Sequence, residues 1–221
     1  MSEHAPLDGR LTVLHRAVVA AAGVVAARPK DGSFLERTLR DALAACLPRA
    51  GIEQQLNLNR SVWAGRLGGV DVLYEDAGAR IGVETKVWDV SDSLYDIFKL
   101  AAGTQAGTIA VGFCVIAGRG RDWRAPSAIC KMSTRSPGNR SEWDAAELLR
   151  QHATEWAGIW RRTAIRPTQI PARVWTLADE PVPMPKAPDH QIRIIGVQAV
   201  GATTLPLDVL GRPSMATNCS R

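Results

Sequence analysis

Apolar and polar residues alternate through Val70–Val87, VDVLYEDAGARIGVETKV, and a turn signal, EDAG, interrupts the alternation. A period of two predicts the two strands of a β-hairpin. Elsewhere the pattern changes period. Residues 11–27, rich in Ala, Val and Leu, read as a helix. Leu35, Leu39, Leu43 and Cys46 recur at helical spacing within residues 33–46, a second helix opened by Ser33. Residues 52–60 read as a strand. Residues 91–103 read as a helix capped by Ser91 or Ser93, with Leu94, Ile97, Phe98 and Ala101 on its buried stripe. Residues 108–118 are almost wholly apolar, as in a strand buried on both faces. A long helix is expected over 141–163, where Trp143, Trp156 and Trp160 point to core packing. Strands at 172–177 and 191–200 flank a Pro-rich connection, and residues 204–221 read as irregular. This order predicts one α/β domain over residues 1–221, a mixed sheet flanked by helices.

The hairpin's register decides which side chains share a face. If paired residue numbers sum to 155, Val70, Val72, Tyr74, Ile81, Val83, Thr85 and Val87 form one apolar face. Asp71, Leu73, Glu75, Arg80, Gly82, Glu84 and Lys86 form the other. A three-residue loop would shift the sum to 154 and mix the two sets. The clean segregation favours 155. Asp71 then lies opposite Glu84, with Cβ atoms ~4.5–5.5 Å apart, an arrangement that is destabilising for like charges unless a cation lies between them. Lys86, on the same face, neutralises part of that charge. A divalent ion with oxygen ligands from both acids does so better.

Asp71, twelve intervening residues and then Glu84-Thr85-Lys86 resemble the D…(D/E)-x-K signature of the PD-(D/E)XK nuclease superfamily, the restriction-endonuclease-like fold. The order of elements over residues 33–118 resembles the αβββαβ core of that family. Residues 119–201 would be a C-terminal extension carrying specificity. The sequence departs from the common pattern in having Gly69-Val70 before the aspartate. The resemblance implies a metal-dependent phosphodiesterase acting on nucleic acid, with DNA as the expected substrate. Asp71, Glu84 and the Thr85 carbonyl would bind Mg²⁺ or Mn²⁺, and Lys86 would orient or activate the attacking water. Glu36, in the first core helix, is a further candidate at the metal. SFLE (33–36) is also a capping box, in which Ser33 and Glu36 satisfy each other's backbone N–H groups. Tyr95 and Lys99, four apart on a helix, are candidates to support the site or touch phosphate. The same fold also serves non-catalytic binding modules.

Charge extends the picture. The chain carries 27 basic and 22 acidic residues. Between Arg119 and Arg140 lie six basic residues against one acid, Asp122. This stretch is either a solvated loop or a phosphate-tracking surface, with Arg119, Arg121 and Arg124 as its leading contacts. Trp88, at the end of the motif strand, is placed to line a cleft. His15 and His152 lack a partner pattern and read as structural or exposed. The four cysteines show no CxxC spacing, which argues against a zinc knuckle or disulfide framework and fits a reducing cytoplasm. No secretory signal or membrane-length apolar run is evident. Neither GxxxxGK[ST] nor GxGxxG occurs. A retaining glycosidase also pairs carboxylates ~5–5.5 Å apart, but the neighbouring lysine and two tyrosines in the chain argue against one. A homodimer is left open.

Overall fold

The hairpin folds in the register of the apolar segregation. In the computed structural model, β2 (Gly69–Asp76) and β3 (Ala79–Val87) pair antiparallel from Val72↔Val83 to Asp76↔Ala79. Ala77 and Gly78 make the two-residue turn, with φ of 48° and 75°. Positive φ at both central positions matches a type I′ hairpin turn, whose twist suits the flanking strands. The structure describes residues 5–25, 36–55, 69–124, 127–133, 140–162 and 166–214.

Two helices open the chain, α1 (Ala5–Val24) and α2 (Glu36–Cys46), and β1 (Gly51–Gln55) precedes the hairpin. The predicted cap Ser33, and the part of the predicted strand beyond Gln55, lie outside the described residues. After β3 come α3 (Val90–Gln105) and β4 (Val111–Arg119). The remaining elements are α4 (Ala128–Ser133), β5 (Arg140–Asp144), α5 (Ala145–Gln151), α6 (Ala153–Arg162), β6 (Gln169–Pro171), β7 (Arg173–Ala178), β8 (Val182–Pro183), β9 (His190–Ala199) and β10 (Thr204–Pro206). Eight strands form one mixed sheet in the order β1-β2-β3-β4-β9-β7-β5, with β8 paired to β9. Only β3 and β4 are parallel, joined through α3; the other pairings in this sheet are antiparallel.

Helices cover both faces. On one, Leu14, Val18, Leu39 and Leu43 pack against Val72, Val83, Phe113 and Val115. On the other, Leu94, Phe98, Ile129 and Trp156 pack with Cys114, Ile116 and Ile195. Strand β4 is buried from Val111 to Gly118, as its unbroken apolar run predicts for a central strand. No described helix is long and apolar enough to cross a membrane.

Three expectations need correction. The long helix over 141–163 is three elements, β5, α5 and α6. Ser141–Trp143 pair with β7, and Trp143 Nε1 donates to Thr176 Oγ1 at 2.7 Å. Asp144 then caps α5, accepting from the Glu147 N–H, and the helix breaks at His152. Sheet pairing here overrides local helical periodicity. Helix α3 starts at Val90 and is capped by Asp89, which accepts from the Asp92 N–H at 3.0 Å, in place of Ser91 or Ser93. An aspartate is as good an N-cap as a serine. Finally, residues 204–206 are strand β10, paired with β6.

Candidate functional site

Asp71 marks a slip in the alternation of β2. Val72 and Tyr74 pack on the α2 side of the sheet, whereas Val70 joins the α3 side. The β2–β3 ladder stops at Val72↔Val83, so Asp71 and Glu84 do not form the directly opposed ladder pair that the register alone predicts. The Asp71 carboxylate turns instead to the vacated β3 edge. Its Oδ2 accepts from the Thr85 N–H and from Thr85 Oγ1, both at 2.8 Å. A side chain thus satisfies a backbone donor that the ladder has left. Oδ1 accepts no hydrogen bond among the described residues.

Glu84 is 2% exposed and lies beside Cys114 in the β3–β4 ladder. The Nζ of Lys99, from α3, sits 2.6 Å from Glu84 Oε1 and 3.0 Å from Asp96 Oδ1. Lys86 reaches across the open edge of β3. Its Nζ lies 3.0 Å from Glu36 Oε1, on α2, and 3.3 Å from Asp96 Oδ2, on α3. The two helical layers and the hairpin therefore meet at one cluster: Glu36, Asp71, Glu84, Lys86, Asp96 and Lys99. Four carboxylates face two ammonium groups, an excess of two negative charges when all are ionised.

Burial, more than this charge excess, raises two of the acids. Burial pushes the Glu84 carboxyl well above its ordinary range; Lys99 pulls it down, and Asp96 and Asp71 push it further up. Burial also raises Glu36, against the pull of Lys86. For both lysines burial favours the neutral amine, but their acid neighbours, Asp96 foremost, more than offset it. Both therefore stay protonated at neutral pH.

The oxygen-only donor set suits Mg²⁺ or Mn²⁺. No group of three or more acid, histidine or cysteine side chains forms a ready metal cage among the described residues. Mg²⁺ is typically held by one or two carboxylates with several waters, and Asp71 has one oxygen still to offer. The Thr85 carbonyl lies past the last β2–β3 pair. The donors present therefore fit such an ion.

Other predicted residues divide. Lys99 is buried in the cluster and serves it as an ion-pair partner, not as a surface contact to phosphate. Tyr95 is 7% exposed and stacks on Trp156 at 6.4 Å, so it packs in the core and is not a surface contact. Helix α3 is enclosed on several sides, so a shared helical face did not mean an exposed one. Arg119 is half-buried at the end of β4, and Arg121 and Arg124 are exposed in the turn that follows. All three lie at the same end of the sheet as Lys86, since Val87 pairs with Ala117. The basic stretch is not one loop, however. It includes the buried helix α4, and Arg140 lies on the far edge strand, 5.7 Å over Trp175. Trp88 is half-buried and meets Trp123 edge-on at 4.5 Å. That contact anchors the basic turn to the motif strand. His15 is not without a partner, since its Nδ1 lies 2.6 Å from Asp179 Oδ2.

Asp96 is the site residue that sequence reasoning missed. Its signal was a charged pair, Asp96 and Lys99, inside an otherwise apolar helix stripe beside Ile97 and Phe98. Charges placed there must be paired or functional. Compared with protein-family models, curated proteins and solved structures, the chain matches none of them.

Proposed function

We propose that this protein is a metal-dependent nuclease that hydrolyses phosphodiester bonds, with DNA as its substrate. The observation that carries the reading is the charge excess of the cluster: four carboxylates from four elements held around two lysines. Such an excess of buried negative charge is costly unless a further cation offsets it. The consecutive order α2-β1-β2-β3-α3-β4, with β4 parallel to β3, supports the restriction-endonuclease-like core implied by the motif.

In this reading Asp71 and Glu84, with the Thr85 carbonyl, hold Mg²⁺ or Mn²⁺. The bound ion supplies a lowered water pKa and a clamp on phosphoryl oxygens. Thr85 orients Asp71 through its two hydrogen bonds. Lys99 fixes Glu84. Lys86, kept as an ammonium by Asp96 and Glu36, orients water and stabilises negative charge developing on the phosphate. A raised pKa makes it a poor proton acceptor, so its role is electrostatic. Arg119, Arg121 and Arg124 extend a positive surface from the same sheet end.

A second reading, a nucleic-acid-binding module without catalysis, is favoured by one observation. Glu84 is nearly sealed and already neutralised by Lys99. The test is incubation of purified protein with supercoiled, linear and single-stranded DNA in Mg²⁺, Mn²⁺ or EDTA. The nuclease reading expects cutting with metal, none in EDTA, and loss of cutting in Asp71→Ala. Binding without any cutting supports the module.

A further inference from the structure

Between α5, α6 and the segment Val209–Pro213 lies a cavity of about 670 Å³. That is within the ~300–1,000 Å³ range of small-molecule sites. It shares no lining residue with the carboxylate cluster. Lys99 of α3 meets Glu84, while Tyr95 and Phe98 of α3 meet Trp156.

The floor is apolar: Leu149, Trp156, Ala157 and Trp160. The indole N–H groups are already used. Trp156 Nε1 donates to the Gly211 carbonyl at 2.7 Å, and Trp160 Nε1 to the Val209 carbonyl at 3.2 Å. The floor therefore offers ring surface without polar donors. Gly211 has φ of +76°, and a Cβ there would fall 2.4 Å from the Trp160 ring. Glycine at 211 is what lets this segment seat directly on the indole. Val209 and Leu210 stand exposed at the mouth, apolar surface that an occupant would cover.

The rim has the opposite chemistry. Four arginines, Arg150, Arg161, Arg166 and Arg212, line it, with no acidic side chain in the lining. Arg150 is engaged by Glu147 at 2.6 Å. Arg161 and Arg166 are exposed and form no ion pair among the described residues. Guanidinium groups recognise planar or tetrahedral oxyanions through paired N–H donors.

We propose that this cavity binds a small amphiphilic anion. Its alkyl or aryl body lies against Trp156 and Trp160, and its phosphate or carboxylate head meets Arg161 and Arg166. The site stands independently of the nuclease reading.

Calorimetric titration of the full chain tests it with three probes: decyl phosphate below its micelle concentration, inorganic phosphate and decanol. Decyl phosphate should bind, and each half-probe should bind about tenfold more weakly or worse. Arg161→Ala with Arg166→Ala should weaken decyl phosphate by about tenfold while leaving decanol unchanged. Ala157→Phe, which occupies part of the cavity, should weaken binding of decyl phosphate and decanol alike, about tenfold, in a protein whose circular dichroism is unaltered. Equal binding of decyl phosphate and decanol, or wild-type affinity in the double arginine variant, would overturn the proposal. So would displacement of decyl phosphate by a short oligonucleotide, which would assign the surface to nucleic acid.

Discussion

Lys99 Nζ lies 2.6 Å from Glu84 Oε1, whereas Lys86 turns to Glu36 and Asp96. The motif lysine is therefore not the partner of the motif glutamate. One amine secures the buried acid, and the other is held beside it in a partly open position. Asp96 binds the two lysines together from α3.

This division predicts a stability phenotype. Lys99→Met leaves Glu84 buried without its cation, and breaking such a pair costs about 3–5 kcal/mol at neutral pH. The loss should shrink in acid, where Glu84 takes up a proton. Adding Glu84→Gln should recover part of it. Chemical denaturation of the single and double variants measures the coupling, and additive effects would contradict the pairing.

The raised acids set a pH dependence. Between the ordinary glutamate value of 4.5 and the raised one, the folded protein retains a proton on Glu84 that the unfolded chain has released. Stability therefore falls as pH rises through that window. Glu36 acts in the same direction. A metal requires ionised carboxylates, so its stabilising effect should grow over the same range. Melting temperatures in EDTA and in excess Mg²⁺, from pH 4.5 to neutrality, read both trends. A Mg²⁺ shift that is flat with pH, or equal in Glu84→Gln, would place the ion elsewhere.

Glu36 meets the Lys86 ammonium at 3.0 Å and so belongs to the cluster's electrostatics. Glu36→Gln keeps the hydrogen-bonding shape but removes the charge. If Glu36 positions Lys86 or supports the metal, cleavage should slow while the melting temperature stays near wild type. A fully active Glu36→Gln protein would confine the residue to capping its helix.

The basic turn gives a salt test. If Arg119, Arg121 and Arg124 contact phosphates, each lost contact should lower the slope of log K against log salt by about 0.9 on duplex DNA. The triple alanine variant should bind more weakly and with a flatter slope. An unchanged slope would return these arginines to an ordinary solvated surface.

Much of this site was legible in sequence because strand alternation and turn chemistry act locally. The register that aligned Val72 with Val83 followed from keeping one hairpin face apolar. The slip at Asp71 was not legible, since it depends on Val70 packing with α3 and on Thr85 offering two donors to one carboxylate. Residues 141–144 also read wrongly, because their pairing with β7 involves partners about thirty residues away. The contacts of Lys86 with Asp96 and of Lys99 with Glu84 arise only when α3 docks on β3.

The central claim rests on Lys86, and single-turnover cleavage by a Lys86→Met variant tests it most directly. Methionine keeps the apolar stem and removes the charge. The metal site at Asp71 and Glu84 should remain, as should DNA affinity measured in Ca²⁺. The cleavage rate should fall ~10²–10³-fold, as when other preorganised charge-stabilising donors are removed. A Lys86→Met protein that cleaves at the wild-type rate would contradict the account. So would a wild-type protein that binds DNA in Mg²⁺ and Mn²⁺ yet cuts none of the tested forms.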